Sequence, residues 1–327
     1  MKGLVSIITP CFNGEKYIAR FLDSVLTQSY NDIEVIVIND GSTDRTAEII
    51  KGYESKFLDR GYIFYYVFQE NNGAASAINK GLKLFSGEYV TWPDSDDLLH
   101  KDSIKNKVNY LIDNKDYSFV RTDFTFVNEQ KIEEVYYKAS DVISYKNENI
   151  FDDFITERNV FCCPGSYMVT KNALKKSIPD NNIYESKAGQ NWQILLPVAL
   201  NYKCGYLNQS LFTYVVRDNS HSRSAKSLQD EINKCDEHLD IFNNVLSQLN
   251  VDNMKYNLFL QNKYERKKFK LSCTYQDLQQ SEIHFGKIKN RKATDFIFII
   301  SLRLGFFPIL NRIIPYANSF INYIRKL

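Results

Sequence analysis

Along the first hundred residues, short apolar runs alternate with amphipathic stretches at a regular interval. "LVSIIT" (Leu4–Thr9), "IEVIVI" (Ile33–Ile38), "YIFYYVF" (Tyr62–Phe68) and "EYVTW" (Glu88–Trp92) have strand length and are rich in β-branched and aromatic residues. Between the first two, "EKYIARFLDSVLTQS" puts Tyr17, Ile18, Phe21, Leu22, Val25 and Leu26 on one helical stripe. "DRTAEIIKGYESKFL" predicts a second helix, with Ser42 or Thr43 placed to cap it, and "GAASAINKGLKLF" predicts a third. Strand–helix–strand repeats of this kind predict an α/β fold with a parallel sheet and right-handed crossovers.

After about Asp123 the periodicity loosens. "NEQKIEEVYYKASD" reads as a charged connector and "CCPGSYMVTKNAL" as a strand followed by a helix. "GQNWQILLPVALNYK" predicts a helix that Pro197 kinks or ends, and "CGYLNQSLFTYVV" predicts strand segments. From Ala225 onward the pattern is mostly helical and rich in lysine. The expected organisation is an α/β domain over residues 1–222 and a mainly helical region over 223–327, with no internal repeat.

Composition narrows the function classes. A net charge of +2 offers no electrostatic case for binding nucleic acid. The 22 Tyr and 22 Phe suit a large core first and sugar-stacking surfaces second. Cys11, Cys162, Cys163, Cys204, Cys235 and Cys273 form no CxxC pair and no zinc spacing, so reduced thiols in a cytoplasmic protein are expected. The N-terminal apolar run stops at Pro10, too short for a signal peptide.

In an open parallel sheet, ligands bind beyond the carboxyl ends of the strands. The four expected strands end in "TPCFNG", "NDGSTD", "QENNG" and "PDSDD". One such loop is ordinary turn chemistry, but four on one sheet edge predict a site. No GxGxxG follows the first strand and no GxxxxGK[ST] occurs, which argues against a dinucleotide dehydrogenase and a P-loop NTPase. A phosphate here would be held through a cation instead. Asp94 and Asp96 carry hard oxygen ligands suited to Mg²⁺ or Mn²⁺, and in an extended segment residues i and i+2 point the same way. D-x-D alone is a weak signal; its place at a strand exit strengthens it.

"SIITPCFNGEKYIARFLDSVLTQSY", "EVIVINDGSTDRTAEI", "NNGAASAINKGL" and "GEYVTWPDSDDLL" resemble, in order and spacing, the successive blocks of the family-2 glycosyltransferases with the GT-A fold. The resemblance covers residues 4 to about 220. It implies a mostly parallel sheet flanked by helices, and inverting transfer of a sugar from a nucleotide-sugar donor to an acceptor hydroxyl. Carried over by residue, it implies that Pro10, Phe12 and Asn13 line the base and ribose pocket. Asp40 would accept from the ring N–H of the base, which favours uracil and hence a UDP-sugar. Asn72 and Gly73 would lie near the donor, Asp94 by the ribose or donor sugar, and Asp96 on the metal, with Asp97 capping the following helix. "YVVRDNSHSRS" resembles the family's late Arg/His–Ser segment, where Arg217 and His221 would neutralise the diphosphate or add a metal ligand; a solvated polar loop is the alternative.

Many family members place a catalytic Asp after a strand–helix block. The matching spot here is "AGQNWQ", with Gln190 and Asn191, so this chain departs from the pattern. Glu185 is the nearest upstream acid able to act as base, with an exposed loop charge as the bland alternative, and Asn191 is then expected to orient the acceptor. A donor-binding protein without a base is the competing class. A nucleotidyltransferase also uses acids and Mg²⁺, but "TPCFNGEKY" matches its Gly-rich, basic loop poorly.

The most apolar stretch is "ATDFIFIISLRLGFFPILNRIIPYANSFINYIRKL", interrupted by Arg303, Pro308 and Pro315. It lacks the ~18 uninterrupted apolar residues of a spanning helix. Lys289, Arg291, Lys292, Arg312, Arg325 and Lys326 flank or punctuate it. An interfacial anchor on anionic lipid fits this mixture; a helical pair packed on the catalytic domain or in a homodimer is the alternative. With the resemblance, the anchor points to a saccharide or lipid-linked acceptor at the inner face of the cell membrane.

Overall fold

The computed structural model describes residues 3–186, 189–217, 227–249 and 251–309. The chain divides into two compact units, Met1–Ser220 and His221–Leu327.

The first unit is built on a nine-stranded sheet. Strands β1 (Val5–Cys11) and β2 (Ile33–Asp40) are buried along their whole length, as expected of central parallel strands covered on both faces. β3 (Ile63–Gln69) pairs with β2 and β4 (Tyr89–Thr91) with β1, all parallel, in the order β3-β2-β1-β4. The crossovers are α1 (Ile18–Leu26), the two short helices α2 (Thr46–Lys51) and α3 (Glu54–Asp59), and α4 (Ala74–Leu84). Ile18, Phe21, Leu22 and Val25 form the buried stripe of α1. Gly81 lets α4 lie close on the sheet, because a Cβ there would meet Ile8 Cγ2 at 2.2 Å.

The second predicted helix is interrupted at Gly52 and Tyr53 to give α2 and α3. Neither Ser42 nor Thr43 caps it. The Ser42 hydroxyl accepts from Asn13 N–H instead, and Asp44 takes the Thr46 N–H at 3.0 Å. The strand-exit loop needs those hydroxyls for its own closure.

Beyond β4 the ladder is mixed. β5 (Leu98–Leu99) and α5 (Ser103–Asp113) follow the acidic loop, and then β6 (Phe119–Asn128) and β7 (Lys131–Lys138) form an antiparallel pair. The expected charged connector is therefore largely β7, whose residues are nearly all exposed, so no buried face imposes alternation on its sequence. After α6 (Phe151–Thr156), β8 (Tyr167–Thr170) joins β4 to β6, antiparallel to both. Helix α7 (Lys171–Ser177) leads to α8 (Asn191–Asn201), which runs through Pro197. β9 (Cys204–Val216) is a single long strand, parallel to β6 with register shifts and antiparallel to β5.

The second unit is helical: α9 (Leu228–Gln248), α10 (Asn253–Thr274), α11 (Leu278–Lys287) and α12 (Ala293–Arg303). Phe269, Cys273, Ile288, Ile299 and Phe307 form a core within it. Among the described residues no helix is long and apolar enough to cross a membrane.

Candidate active site

Three strand exits of the parallel half are tied together by side chains. At the end of β1, Asn13 adopts a left-handed backbone (φ 46°), and its Oδ1 accepts from Thr43 N–H at 2.9 Å. Asn13 N–H in turn donates to Ser42 Oγ, and Gly14 N–H to Thr46 Oγ1 at 2.7 Å. At the end of β2, Asp40 is 3% exposed and takes three donors: Gln69 Nε2 at 2.6 Å, Asn72 N–H at 3.0 Å and Gly73 N–H at 2.9 Å. Asp40 thus holds the β3–α4 loop with both oxygens. Gly73 has φ 91° just before α4, a conformation that favours glycine, with open space where a Cβ would stand. Pro10 is buried, whereas Phe12, Asn13 and Asn72 are exposed.

The exit of β4 carries the acids, and each of the three has a different partner. Asp94 Oδ1 accepts from Gln190 Nε2 at 3.2 Å. Asp96 pairs with the Arg217 guanidinium, and its backbone carbonyl takes a bond from Arg20 at 2.9 Å. Asp97 is 1% exposed and accepts from Val215 N–H at 2.9 Å, with its second oxygen unpartnered among the described residues. Asp97 therefore does not cap the following helix: α5 begins at Ser103, after β5 intervenes. Instead it fixes the end of β9 two residues before Arg217, and so sets where the guanidinium sits.

Burial, reinforced by the charge of Asp96, pushes the Asp94 carboxyl up to about 7. Burial and the charges of Asp96 and Asp94 hold Asp97 well above the usual carboxylate range. Arg217 lies over the Tyr17 ring, 4.4 Å from its centroid, and burial pushes the Tyr17 phenol up to about 12. Tyr17 donates to Phe12 O at 3.1 Å, so the β1 exit, Arg217 and the acidic loop form one continuous group.

Asn191 is built into the wall beside these acids. Its Oδ1 accepts from the buried Trp92 Nε1 at 3.2 Å, and its Nδ2 donates to Cys162 O at 2.8 Å. An amide oxygen accepts two bonds and an amide nitrogen donates two, so each Asn191 atom keeps one position for a further partner. Glu185 is exposed, with Oε1 at 3.4 Å from Asn79 Nδ2 on α4. His221 lies outside the described residues. Arg20, Tyr17 and Trp92 escaped the sequence reading of the site, whereas that reading singles out Gln190 beside Asn191 without its partner Asp94. Only Trp92 gave a signal, since a buried indole N–H requires an acceptor.

A parallel sheet whose strand exits gather acids beside two arginines, without a glycine-rich phosphate loop, is the plan of a GT-A glycosyltransferase. The chain belongs to glycosyl transferase family 2, whose profile residues 6–178 match. It is 33% identical over 227 residues to the glycosyltransferase GlyA of Streptococcus pneumoniae, covering 67% of this chain and 31% of that protein. It is 41% identical over 112 residues to the putative teichuronic acid biosynthesis glycosyltransferase TuaG of Bacillus subtilis, covering 34% of this chain and 43% of that protein. The match thus spans less than half the length of either relative. The fold is similar to S. aureus TarS 1-349 in complex with UDP-GlcNAc, at 17% identity and TM-score 0.57 over 92% of each chain. It is similar too to the mannosyltransferase PcManGT of Pyrobaculum calidifontis in complex with GDP-Man and Mn2+, at 16% identity and TM-score 0.56 over 92% of this chain and 79% of that one.

Proposed function

We propose that this chain is a metal-assisted glycosyltransferase of surface-polysaccharide synthesis. It moves a sugar, with inversion, from a nucleotide-sugar donor, a UDP-sugar first, to a hydroxyl of a saccharide or lipid-linked acceptor. The observation that carries the reading is the Asp96–Arg217 pair beside Asp94, where the exits of parallel strands converge. Family membership, the nucleotide sugars bound by TarS and PcManGT, and the pathway named for TuaG support it.

Asp94 and Asp96 are the residues that would hold a divalent cation. Asp94 and Asp96 present hard oxygens, and the rise of Asp94 under burial and the Asp96 charge is what a dication would reverse. Among the described residues no group of three or more His, Cys, Asp or Glu converges on a cation position, and His221, expected as a further ligand, lies outside them; donor phosphate oxygens would add to the shell. Such an ion, Mn²⁺ or Mg²⁺, stabilises charge on a departing diphosphate. With a cation held at Asp96, Arg217 would be available to face the donor phosphates. Pro10, Phe12 and Asn13 bound the nucleoside side of the site. Asp40, whose carboxylate has about four acceptor positions and holds three donors, reads the base; Asn72 and Gly73 flank the donor.

Binding of UDP, GDP and CDP measured by thermal shift, with and without Mn²⁺, tests the donor site, because a bound ligand raises apparent stability. UDP should win clearly in Mn²⁺. Asp96→Asn should lose that metal-dependent gain and keep the metal-free response. Equal UDP affinity in wild type and Asp96→Asn with Mn²⁺ present, or a three-way tie among nucleotides, would overturn the assignment.

A second reading, a donor-binding protein without transfer, is favoured by one observation: carboxamides replace carboxylates at residues 190 and 191, and both are engaged by protein atoms. Transfer needs a base for the acceptor proton, and we assign it to Glu185. Once donor and acceptor are identified, Glu185→Gln should lose transfer, by about 10²–10⁴-fold as for other general bases, with donor affinity unchanged. Wild-type protein that binds UDP but transfers no sugar would leave the second reading standing.

A further inference from the structure

Helix α12 is apolar on nearly every side, yet the helical unit buries only part of it. Asp295, Ile299 and Ser301 face inward, and Ile299 joins the core of Phe269, Cys273, Ile288 and Phe307. Phe296, Ile297, Ile300 and Leu304 are 46%, 51%, 49% and 66% exposed. At 100° per residue these four fall within one arc of about 100° on the outer side of the helix. A soluble helix ordinarily turns polar residues outward there, and a contiguous apolar patch of this kind marks an interaction surface.

The charge around the patch indicates what covers it. Residues 221–327 carry 17 Lys and Arg against 10 Asp and Glu, whereas residues 1–220 carry 24 against 29. The excess of positive charge is thus confined to the helical half. Lys287 at the end of α11 and Lys289, Arg291 and Lys292 in the turn that leads into α12 are all exposed. Across residues 283–309 the lone acid is Asp295, fully buried and bonded by Arg266 at 3.0 Å, so it offers no charge outward. Arg303, on the flank of the apolar arc, is paired with Glu282. Lys287 and Lys289 also line a cavity of about 340 Å³, together with Leu239, Leu258, Asn262 and Glu265. The Glu265 carboxylate in it is already held by Lys268 and His284, at 3.3 and 2.8 Å.

We propose that the outer face of α12 and the lysine-rich turn before it form a docking surface for an anionic lipid bilayer, with Phe296, Ile297, Ile300 and Leu304 entering the interface and Lys287, Lys289 and Lys292 meeting lipid phosphates. The combination of an apolar stripe and a basic margin is what holds a helix in the plane of a membrane surface. Basic side chains near an anionic leaflet each strengthen attachment roughly fivefold, about 1 kcal/mol, and the effect fades beyond a Debye length. This surface places the glycosyl-transfer site proposed above at a membrane, but its own test needs no turnover and uses residues remote in sequence from the donor site.

Full-length protein is sedimented with vesicles of phosphatidylcholine alone and of phosphatidylcholine with phosphatidylglycerol. Binding should require phosphatidylglycerol and weaken as salt rises. Lys287→Gln with Lys289→Gln should weaken it on the order of twentyfold. Ile297→Ser with Ile300→Ser should abolish it, while circular dichroism and UDP-dependent thermal shift stay at wild-type values, since all four side chains are on the surface. Failure of the wild-type protein to sediment with the anionic vesicles would overturn the proposal, as would equal binding to both vesicle types. So would a lipid-free homodimer in light scattering that Ile297→Ser with Ile300→Ser dissociates, since the face would then be a protein interface.

Discussion

Three aspartates in four residues repel one another, and the structure answers each separately. Asp96 has an arginine, Asp94 a carboxamide, and Asp97 a backbone N–H that ties down the strand delivering that arginine. A second buried charge, Lys107, lies away from this group. Its Nζ donates to Gly165 O at 2.6 Å in a fully buried position, and burial pushes the amine down to about 7 from 10.5. The sign of the resulting pH dependence follows from proton binding. Between about 7 and 10.5 the unfolded chain holds a proton at this lysine that the folded state has lost, so stability rises with pH across that window and is flat in this respect below it. Each unit is worth ~1.4 kcal/mol at most. Urea unfolding at a series of pH values should show this rise in wild type and a smaller one in Lys107→Met; identical slopes would mean that the amine keeps its proton when buried.

Among the elements, α8 matters most to the site, because its first turn is clamped to the strand exit that bears the acids. Trp92 and Cys162 hold Asn191, and Asp94 holds Gln190. Asn191→Ala leaves a buried indole N–H and a carbonyl without partners, and such orphaned groups cost about 1–3 kcal/mol. A loss of that size in urea unfolding is expected, together with weaker UDP binding as Asp94 loses its fixed neighbour. A loss below about 0.5 kcal/mol, the ordinary effect of a surface change, would show that the clamp is dispensable. The elements themselves were unevenly legible. Strands β1 to β3 and helices α1 and α4 follow directly from periodicity, since burial on both sheet faces or along one stripe imposes it. β7 did not, because an edge strand with almost every residue exposed carries no period of two. β9 looked fragmentary because its polar middle, Leu207–Ser210, falls where its register with β6 shifts.

At the level of the whole molecule, the acidic loop and its partners all lie in Met1–Ser220, while the apolar tail closes a separate helical core. A chain ending before Ala293 removes Ile299 and Phe307 from that core and Asp295 from Arg266. Burying and then deleting large apolar side chains costs about 2–5 kcal/mol each. Calorimetry should therefore show the helical unit melting at markedly lower temperature in the shortened chain, with Mn²⁺-dependent UDP binding retained. Loss of UDP binding as well would mean that the donor site depends on the helical unit.

The sequence by itself determined the α/β alternation, the order of the parallel strands' exit loops, and the placing of Asp40, Asp94 and Asp96 at one sheet edge. Those features rest on local periodicity and turn chemistry, which a single chain displays. The tertiary structure alone decided how the three acids are neutralised. Arg217 reaches Asp96 across 121 positions of chain, Val215 N–H reaches Asp97 at 2.9 Å, and Gln190 reaches Asp94 at 3.2 Å. None of these pairings leaves a trace in spacing: the first two depend on β9 returning along β6 to meet β5, the third on α8 setting its first turn beside the exit of β4, and contacts at such separations are decided by the packing of the whole fold.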